Sequence, residues 1–237
     1  MIFCLYEGIN KMIVKLTHPF LRRCIDPESL LLNCLKFNTF ASRLERQAER
    51  KATMEDGEID EDILNKYKGD GFELYVEMMF RVFGSDMLFG IDPDSYELVD
   101  SNDDYGIDAI GTGFNGKIHT VQAKYRQANY ELTANKDHLT NFKSLSTTSK
   151  ESGGFGVDPN EKYQPKAGRK RIKNTCNMTI IHCGKKIHYD VKEHMLSDVR
   201  EINREDIRRK VDDNGIFWNS FINSWKKALK KKVKNEK

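Results

Sequence analysis

The segment that most restricts how this chain can fold is residues 107–125, IDAIGTGFNGKIHTVQAKY. Two apolar runs flank Asn115-Gly116, the strongest short-range signal for a β-hairpin. Each run also carries polar residues for which a buried strand has no structural use. Asp108 lies among Ile107, Ala109 and Ile110, while Gln122 and Lys124 alternate with Val121, Ala123 and Tyr125. Taking a carboxylate or an ammonium out of water without a partner costs several kcal/mol, or drives the group to its neutral form. Charges at such positions therefore pair, bind metal or do chemistry.

Parity decides whether these residues can act together. A two-residue turn at Asn115-Gly116 would pair Phe114 with Lys117, set Asp108 opposite Ala123, and send its side chain to the face away from Gln122 and Lys124. A three-residue turn, Phe114-Asn115-Gly116 with Gly116 left-handed, pairs Gly113 with Lys117 and puts Asp108 across from Gln122. A shared site requires the odd-numbered turn or a bulge, and Gly111, Gly113 and Gly116 make either inexpensive.

Upstream, GDGFELYVEMMFRVFG places Phe72, Val76, Met79, Phe80 and Phe83 on one helical face, with Asp70 as N-cap and Gly84 as the stop. This predicts a helix over 70–83. At about 100° per residue, Glu73 falls roughly 75° from the centre of that face and Glu77 roughly 115°. Glu73 is thus expected at the rim of the buried stripe and Glu77 in solvent.

Together, G-x-x-F-E on a helix, D-x-G-I-D from Asp104 to Asp108, and V-Q-A-K resemble the PD-(D/E)xK nuclease fold, and within it the Mrr-like restriction endonuclease branch. The resemblance covers roughly residues 68 to 190 and rests on the order and spacing of the motifs around the hairpin. It implies an α/β, restriction-endonuclease-like core: a central mixed β-sheet flanked by helices, with N- and C-terminal helical additions. It further implies that Glu73, Asp108 and Gln122 surround Mg²⁺, with Mn²⁺ able to substitute, that the Ala123 carbonyl is a backbone ligand, and that Lys124 assists the attacking water. Gln122 stands where Glu is commoner; this removes a negative charge but leaves a hard amide oxygen suited to Mg²⁺.

Those residue types suit phosphodiester hydrolysis. The reaction needs a cation to stabilise charge on the scissile phosphate, a water made nucleophilic, and protonation of the leaving oxygen. Lys124, near a cation and partly desolvated, can position or deprotonate the water. The expected activity is a metal-dependent DNA endonuclease in restriction, homing or DNA processing. The alternative is a catalytically silent DNA-binding or assembly domain related to helicase-attached nuclease modules.

GTGFNGKI, residues 111–118, also reads as G-x-x-x-x-G-K. Ile118 stands where a P-loop requires Ser or Thr, and a strand-like run follows where a helix should open, so no nucleotide cofactor is expected. The 237 residues allow one domain with trimmings. A mean hydropathy of −0.66 and the lack of a long apolar run argue against a membrane partner. Glu7 and Lys11 break the N-terminal apolar stretch, and Cys4, Cys24, Cys34, Cys176 and Cys183 are odd in number without a C-x-x-C pair. An intracellular protein with reduced thiols is expected. Cys176, His182, Cys183 and His188 fit no zinc spacing, and MTIIHC reads as a buried strand.

Three sections are expected along the chain. Residues 1–65 hold a charged helix in FASRLERQAERKATME, with its charges solvated, and an acidic linker, EDGEIDED. Residues 66–190 form the core, with a strand near 96–100, a helix near 135–147, a strand at 177–183 and a basic loop over 150–174. Residues 191–237 form a helical section in which Trp218, Ile222, Trp225 and Leu229 share a face, ending in a lysine-rich tail. The net charge is only +3, so a DNA footprint must come from clusters. Lys162, Lys166, Arg169, Lys170, Arg171 and Lys173 form one, and are expected to contact DNA phosphates. One site per chain would cut both strands through a homodimer or by successive nicking.

Overall fold

The computed structural model describes residues 12–99, 106–147 and 177–235. Asp104 and the whole basic cluster from Lys162 to Lys173 lie outside the described residues. The chain divides into two compact units, one formed by residues 1–74 and 208–237 and the other by residues 75–207.

The first unit is helical. It contains α1 (Phe20–Arg23), α2 (Pro27–Leu31), α3 (Phe37–Ala52), the first part of α4 (Glu61–Phe83), the end of α7 (Arg204–Val211), and α8 (Gly215–Asn235). In α3, Phe37, Phe40, Ala41, Leu44, Ala48 and Ala52 recur at helical spacing and are buried, while Glu45, Arg46 and Glu49 are not. Trp218 and Trp225 are almost fully buried. Trp218 packs 6.3 Å from Phe40 between ring centroids, and Trp225 lies 5.7 Å from Phe221. The tryptophans anchor a core, as their spacing predicts, whereas Leu229 at the end of the same stripe is exposed. Two polar ties close it: the Phe37 N–H donates to Asp212 Oδ1 at 2.8 Å, and Trp218 Nε1 donates to the Val211 carbonyl at 2.8 Å.

α4 departs from its expected start. It begins at Glu61, and Asp60 caps it by accepting from the N–H groups of Asp62 and Ile63, both at 3.0 Å. The acidic stretch read as a linker therefore supplies the cap and first turn, where carboxylates favour the helix dipole. Asp70 is inside the helix and pairs with Arg23 at 2.9 Å. The glycines flanking it look like a helix boundary but are not one. Gly69 faces open space, whereas a Cβ at Gly71 would come within 2.4 Å of Leu44 Cδ1 and 3.2 Å of Phe20 Cζ. Gly71 is there for close packing and tolerates its helical penalty.

The second unit is α/β. A five-stranded mixed sheet runs in the order β1 (Glu97–Leu98), β2 (Ala109–Thr112), β3 (Ile118–Lys124), β5 (Asn177–His182), β7 (Arg200–Ile202). β1–β2 and β2–β3 are antiparallel, and β3–β5 and β5–β7 are parallel. A separate parallel pair joins β4 (Glu131–Leu132) to β6 (Lys186–Ile187). α5 (Leu139–Thr147) covers one face, where Leu139, Phe142 and Leu145 cluster with Met178 and Ile180 of β5. α6 (Tyr189–Met195) follows β6. On the other face, Ile91 closes over Gly111, and Phe80 of α4 packs against Phe89 and Tyr96 with centroids 5.1 and 5.3 Å away. Helices on both faces of this mixed sheet hide both sides of β3, whose residues from His119 to Ala123 are all buried. No helix among the described residues is long and apolar enough to cross a membrane.

His119 shows how that second face handles a polar group. Its Nδ1–H donates to the Gly90 carbonyl at 3.1 Å, which leaves Nε2 to accept from Thr179 Oγ1 at 2.8 Å. Burial lowers its pKa to about 4, the Arg200 charge adds to the effect, and the Gly90 carbonyl opposes it.

Both packing sites can be tested by stability. Gly69→Ala raises stability by about 0.5–1 kcal/mol, whereas Gly71→Ala lowers it by about 1 kcal/mol or more because Leu44 must move; urea unfolding of the two variants measures the contrast. For His119 the folded pKa lies below the unfolded one, so the unfolded chain takes up the proton first as pH falls. The stabilisation is complete above about 6.5 and drains away down to about 4, a loss of about 3 kcal/mol. Denaturant midpoints of wild type and His119→Gln across that range should diverge by this amount, and parallel curves would contradict it.

Candidate active site at the end of the central hairpin

The hairpin adopts the odd-numbered turn. Gly113 N–H donates to the Lys117 carbonyl at 2.8 Å, Gly116 N–H donates to the Gly113 carbonyl at 2.9 Å, and Gly116 is left-handed with φ +73°. The ladder pairs Ala109 with Val121 and Thr112 with Ile118, the register that carries Asp108 to Gln122. The P-loop-like sequence is thus a β-turn, and Ile118 opens a strand.

At Asp108 the ladder changes character. Its N–H donates to the Val121 carbonyl at 2.9 Å, its carbonyl accepts from Val99 N–H at 3.0 Å, and its Oδ2 accepts from Ala123 N–H at 2.5 Å. A side-chain oxygen thus takes a place that a backbone carbonyl fills elsewhere in an antiparallel ladder. Within a strand, the N–H and C=O of one residue point to the same side. The Ala123 carbonyl therefore faces the side on which the Asp108 carboxylate sits, which suits the backbone ligand expected there.

Gln122 is the most anomalous polar group of this unit. Its side chain is 0% exposed, yet neither Oε1 nor Nε2 has a partner among the described residues. It lies on the α5 face, like Thr120, whose hydroxyl is 2.7 Å from Ser146 Oγ. Its amide reaches toward Gly106, where a Cβ would stand 3.2 Å from Nε2. Gly106 has φ +99°, so both its conformation and this close approach require glycine. A buried amide with both ends unmet costs about 1–3 kcal/mol for each group. Such an expense marks a place for a ligand or bound water. Lys124, two residues on, is half-buried at the strand end.

Glu73 belongs to the first unit, and Asp108, Gln122 and Lys124 to the second. The Glu73 carboxylate is engaged by His18, a residue with no distinguishing pattern around it in the chain. Phe20 N–H donates to His18 Nδ1 at 3.1 Å, so Nε2 carries the ring proton and donates to Glu73 Oε2 at 3.0 Å. Glu77 corrects the helical-wheel expectation: it is 0% exposed and pairs with Arg81 at 3.7 Å. Arg81 in turn lies 5.6 Å from the Tyr96 ring centroid and donates to the Pro93 carbonyl at 2.8 Å. From Leu74 to Phe80 every residue of α4 is buried, so an angle measured from one apolar stripe cannot find the solvent side.

The donor set fits a hard divalent cation in kind: a carboxylate, an amide oxygen without a partner and a main-chain carbonyl. Among the described residues, no three His, Cys, Asp or Glu side chains form a metal-holding group. A cation here would thus rest on Asp108 with neutral oxygens. Beyond the expected residues, β5 and β7 add His182 and Glu201 to the α5 face of the sheet. Burial pushes the Glu201 carboxyl up, but hydrogen bonds from His182 and the Ile187 N–H, with the nearby Lys192 charge, outweigh it and hold the group below the ordinary carboxylate range. Cys183, at the end of this segment, is buried as the strand pattern implied, and burial raises its thiol to about 12.

No family model matches the chain, and no curated protein matches it.

Gln122→Glu tests the site without reference to activity. An extra buried carboxylate beside Asp108 should lower the melting temperature in EDTA, at a cost of about 1–3 kcal/mol. Mg²⁺ should restore most of that loss in the variant while moving wild type less. Equal Mg²⁺ responses in thermal unfolding would contradict a cation at this position.

Proposed function

We propose that the protein is a metal-dependent DNA endonuclease with a restriction-endonuclease-like core of the PD-(D/E)xK type, arranged as in the Mrr-like branch. The observation that carries this reading is the fully buried, unpartnered Gln122 amide on the strand whose next residue, Ala123, donates its N–H to the Asp108 carboxylate at the open end of the β2–β3 ladder. The helix, hairpin, helix and parallel strand order of residues 61–182 supports the same reading.

In this mechanism, Asp108, the Gln122 Oε1 and the Ala123 carbonyl would hold Mg²⁺ or Mn²⁺. The bound cation would stabilise charge on the scissile phosphate and acidify a water. Asp108 orients the assembly through its bond to the Ala123 N–H. Lys124 would position the attacking water and offset the phosphate charge; as the water oxygen gives up a proton and bonds to phosphorus, the phosphorus bond to the leaving oxygen breaks and that oxygen takes a proton from solvent. Sheet and helix burial around Gln122 excludes bulk water, which strengthens each of these interactions. DNA is attracted by the cluster Lys162, Lys166, Arg169, Lys170, Arg171 and Lys173 and by the lysines that follow Trp225.

Asp108→Asn is the informative substitution, because Oδ1 of asparagine still accepts the Ala123 N–H while the charge is lost; Asp108→Ala would also orphan that N–H. The variant should keep its melting temperature and DNA affinity but lose Mg²⁺-dependent plasmid cleavage by about a hundredfold or more. Cleavage by Asp108→Asn at the wild-type rate would sink the assignment. Absence of metal-dependent cleavage in wild type, with DNA binding intact, would favour a silent binding domain.

Replacing Lys166, Arg169, Lys170 and Arg171 with Ala should weaken DNA binding and flatten its salt dependence by about 0.9 log units for each phosphate that is no longer neutralised. An unchanged salt slope in fluorescence anisotropy would assign that segment no role in binding.

A further inference from the structure

His182 closes β5 and is 0% exposed. Its Nε2 lies 3.0 Å from Glu201 Oε1, an oxygen that also accepts the Ile187 N–H at 2.7 Å. A carboxylate kept ionised can only accept, so Nε2 carries the ring proton and Nδ1 is left as a bare acceptor. Nδ1 is buried and has no partner among the described residues. A carboxylate locking one nitrogen of a fully buried imidazole, while the other presents an unused lone pair, costs free energy that core packing does not return.

The β3–β5 register pairs Lys124 with His182 directly. Across a parallel pair, residues in register leave the same face of the sheet with strands about 4.8 Å apart. The ammonium offers three donors on a four-carbon stem and makes no ion pair among the described residues. A bare acceptor and an uncommitted donor therefore stand side by side at the end of the strand that carries Gln122.

We propose that His182, with its ring fixed by Glu201, is the positioning partner of Lys124: Nδ1 accepts a hydrogen bond from the Lys124 ammonium and holds that cation at the open end of β3. The pairing itself needs only the register and the tautomer; its catalytic consequence rests on the nuclease reading above. Glu201 acts one step further back, by choosing the tautomer.

Two measurements on the full chain test this. Ring-nitrogen NMR of the ¹⁵N-labelled protein should show His182 with Nε2 protonated and Nδ1 as an acceptor, and the Nδ1 signal should move in Lys124→Met. Two protonated ring nitrogens, or an Nδ1 signal indifferent to Lys124→Met, overturns the proposal. In single-turnover cleavage of plasmid DNA with Mg²⁺, His182→Leu should lower the rate about tenfold to a hundredfold while leaving DNA affinity within about twofold. His182→Asn, whose Oδ1 can replace the acceptor, should recover much of that rate. Equal losses in the two variants at equal melting temperature also overturn it. If wild type does not cleave but Lys124→Met moves the Nδ1 signal, the nuclease reading fails and the pairing stands. If wild type cleaves and the signal is static, the pairing fails alone.

Discussion

The arrangement of the second unit depends on one backbone conformation, the left-handed Gly116 that makes the β2–β3 turn three residues long. Strand side chains alternate with a period of two, so removing one residue from the turn would transfer every β2 side chain to the opposite face. Ala109 would lose its buried position and Asp108 its place across from Gln122. With the odd turn, the Asp108 carboxylate meets the Ala123 N–H and the ladder can end on a side chain instead of a carbonyl. Sheet order and helix placement then bury Gln122 from both sides.

Much of this was legible in the sequence, because local chemistry specifies it. Alternation located β3, Asn115-Gly116 located the turn, and the polar residues within apolar runs singled out Asp108, Gln122 and Lys124. The tryptophan spacing of α8 was equally informative, since a single apolar stripe on a helix has one sensible use. What failed was inference from glycine and from helical angle. Gly69 and Gly71 read as a helix boundary, yet α4 runs through both, and at Gly71 the missing side chain makes room for Leu44. Glu77 read as solvent-facing because the wheel assumed one buried side, whereas α4 is buried all round from Leu74 to Phe80.

Some polar contacts were beyond reach for a different reason. His18 meets Glu73 from 55 positions away, and His182 meets Glu201 from 19. Neither pair is marked by periodicity or motif. His182 in particular reads as one more buried residue of MTIIHC, and its relation to Lys124 exists only once β3 and β5 are aligned in parallel. Non-local pairing of this kind is set by the whole sheet and leaves no trace in a window of sequence.

The division of the chain also bears on the order in which it can be built. Residues 75–207 form one unit without a break, whereas the other needs residues 1–74 together with 208–237. During synthesis, the α/β unit can assemble as soon as β7 and the start of α7 have left the ribosome. The helical unit must wait for α8, with α1–α3 already made and the aromatic side chains of Phe20 and Phe40 lacking the tryptophans that pack on them. In that interval the nascent chain carries both a finished sheet and an open apolar surface, the condition in which chaperone engagement or self-association competes most directly with folding.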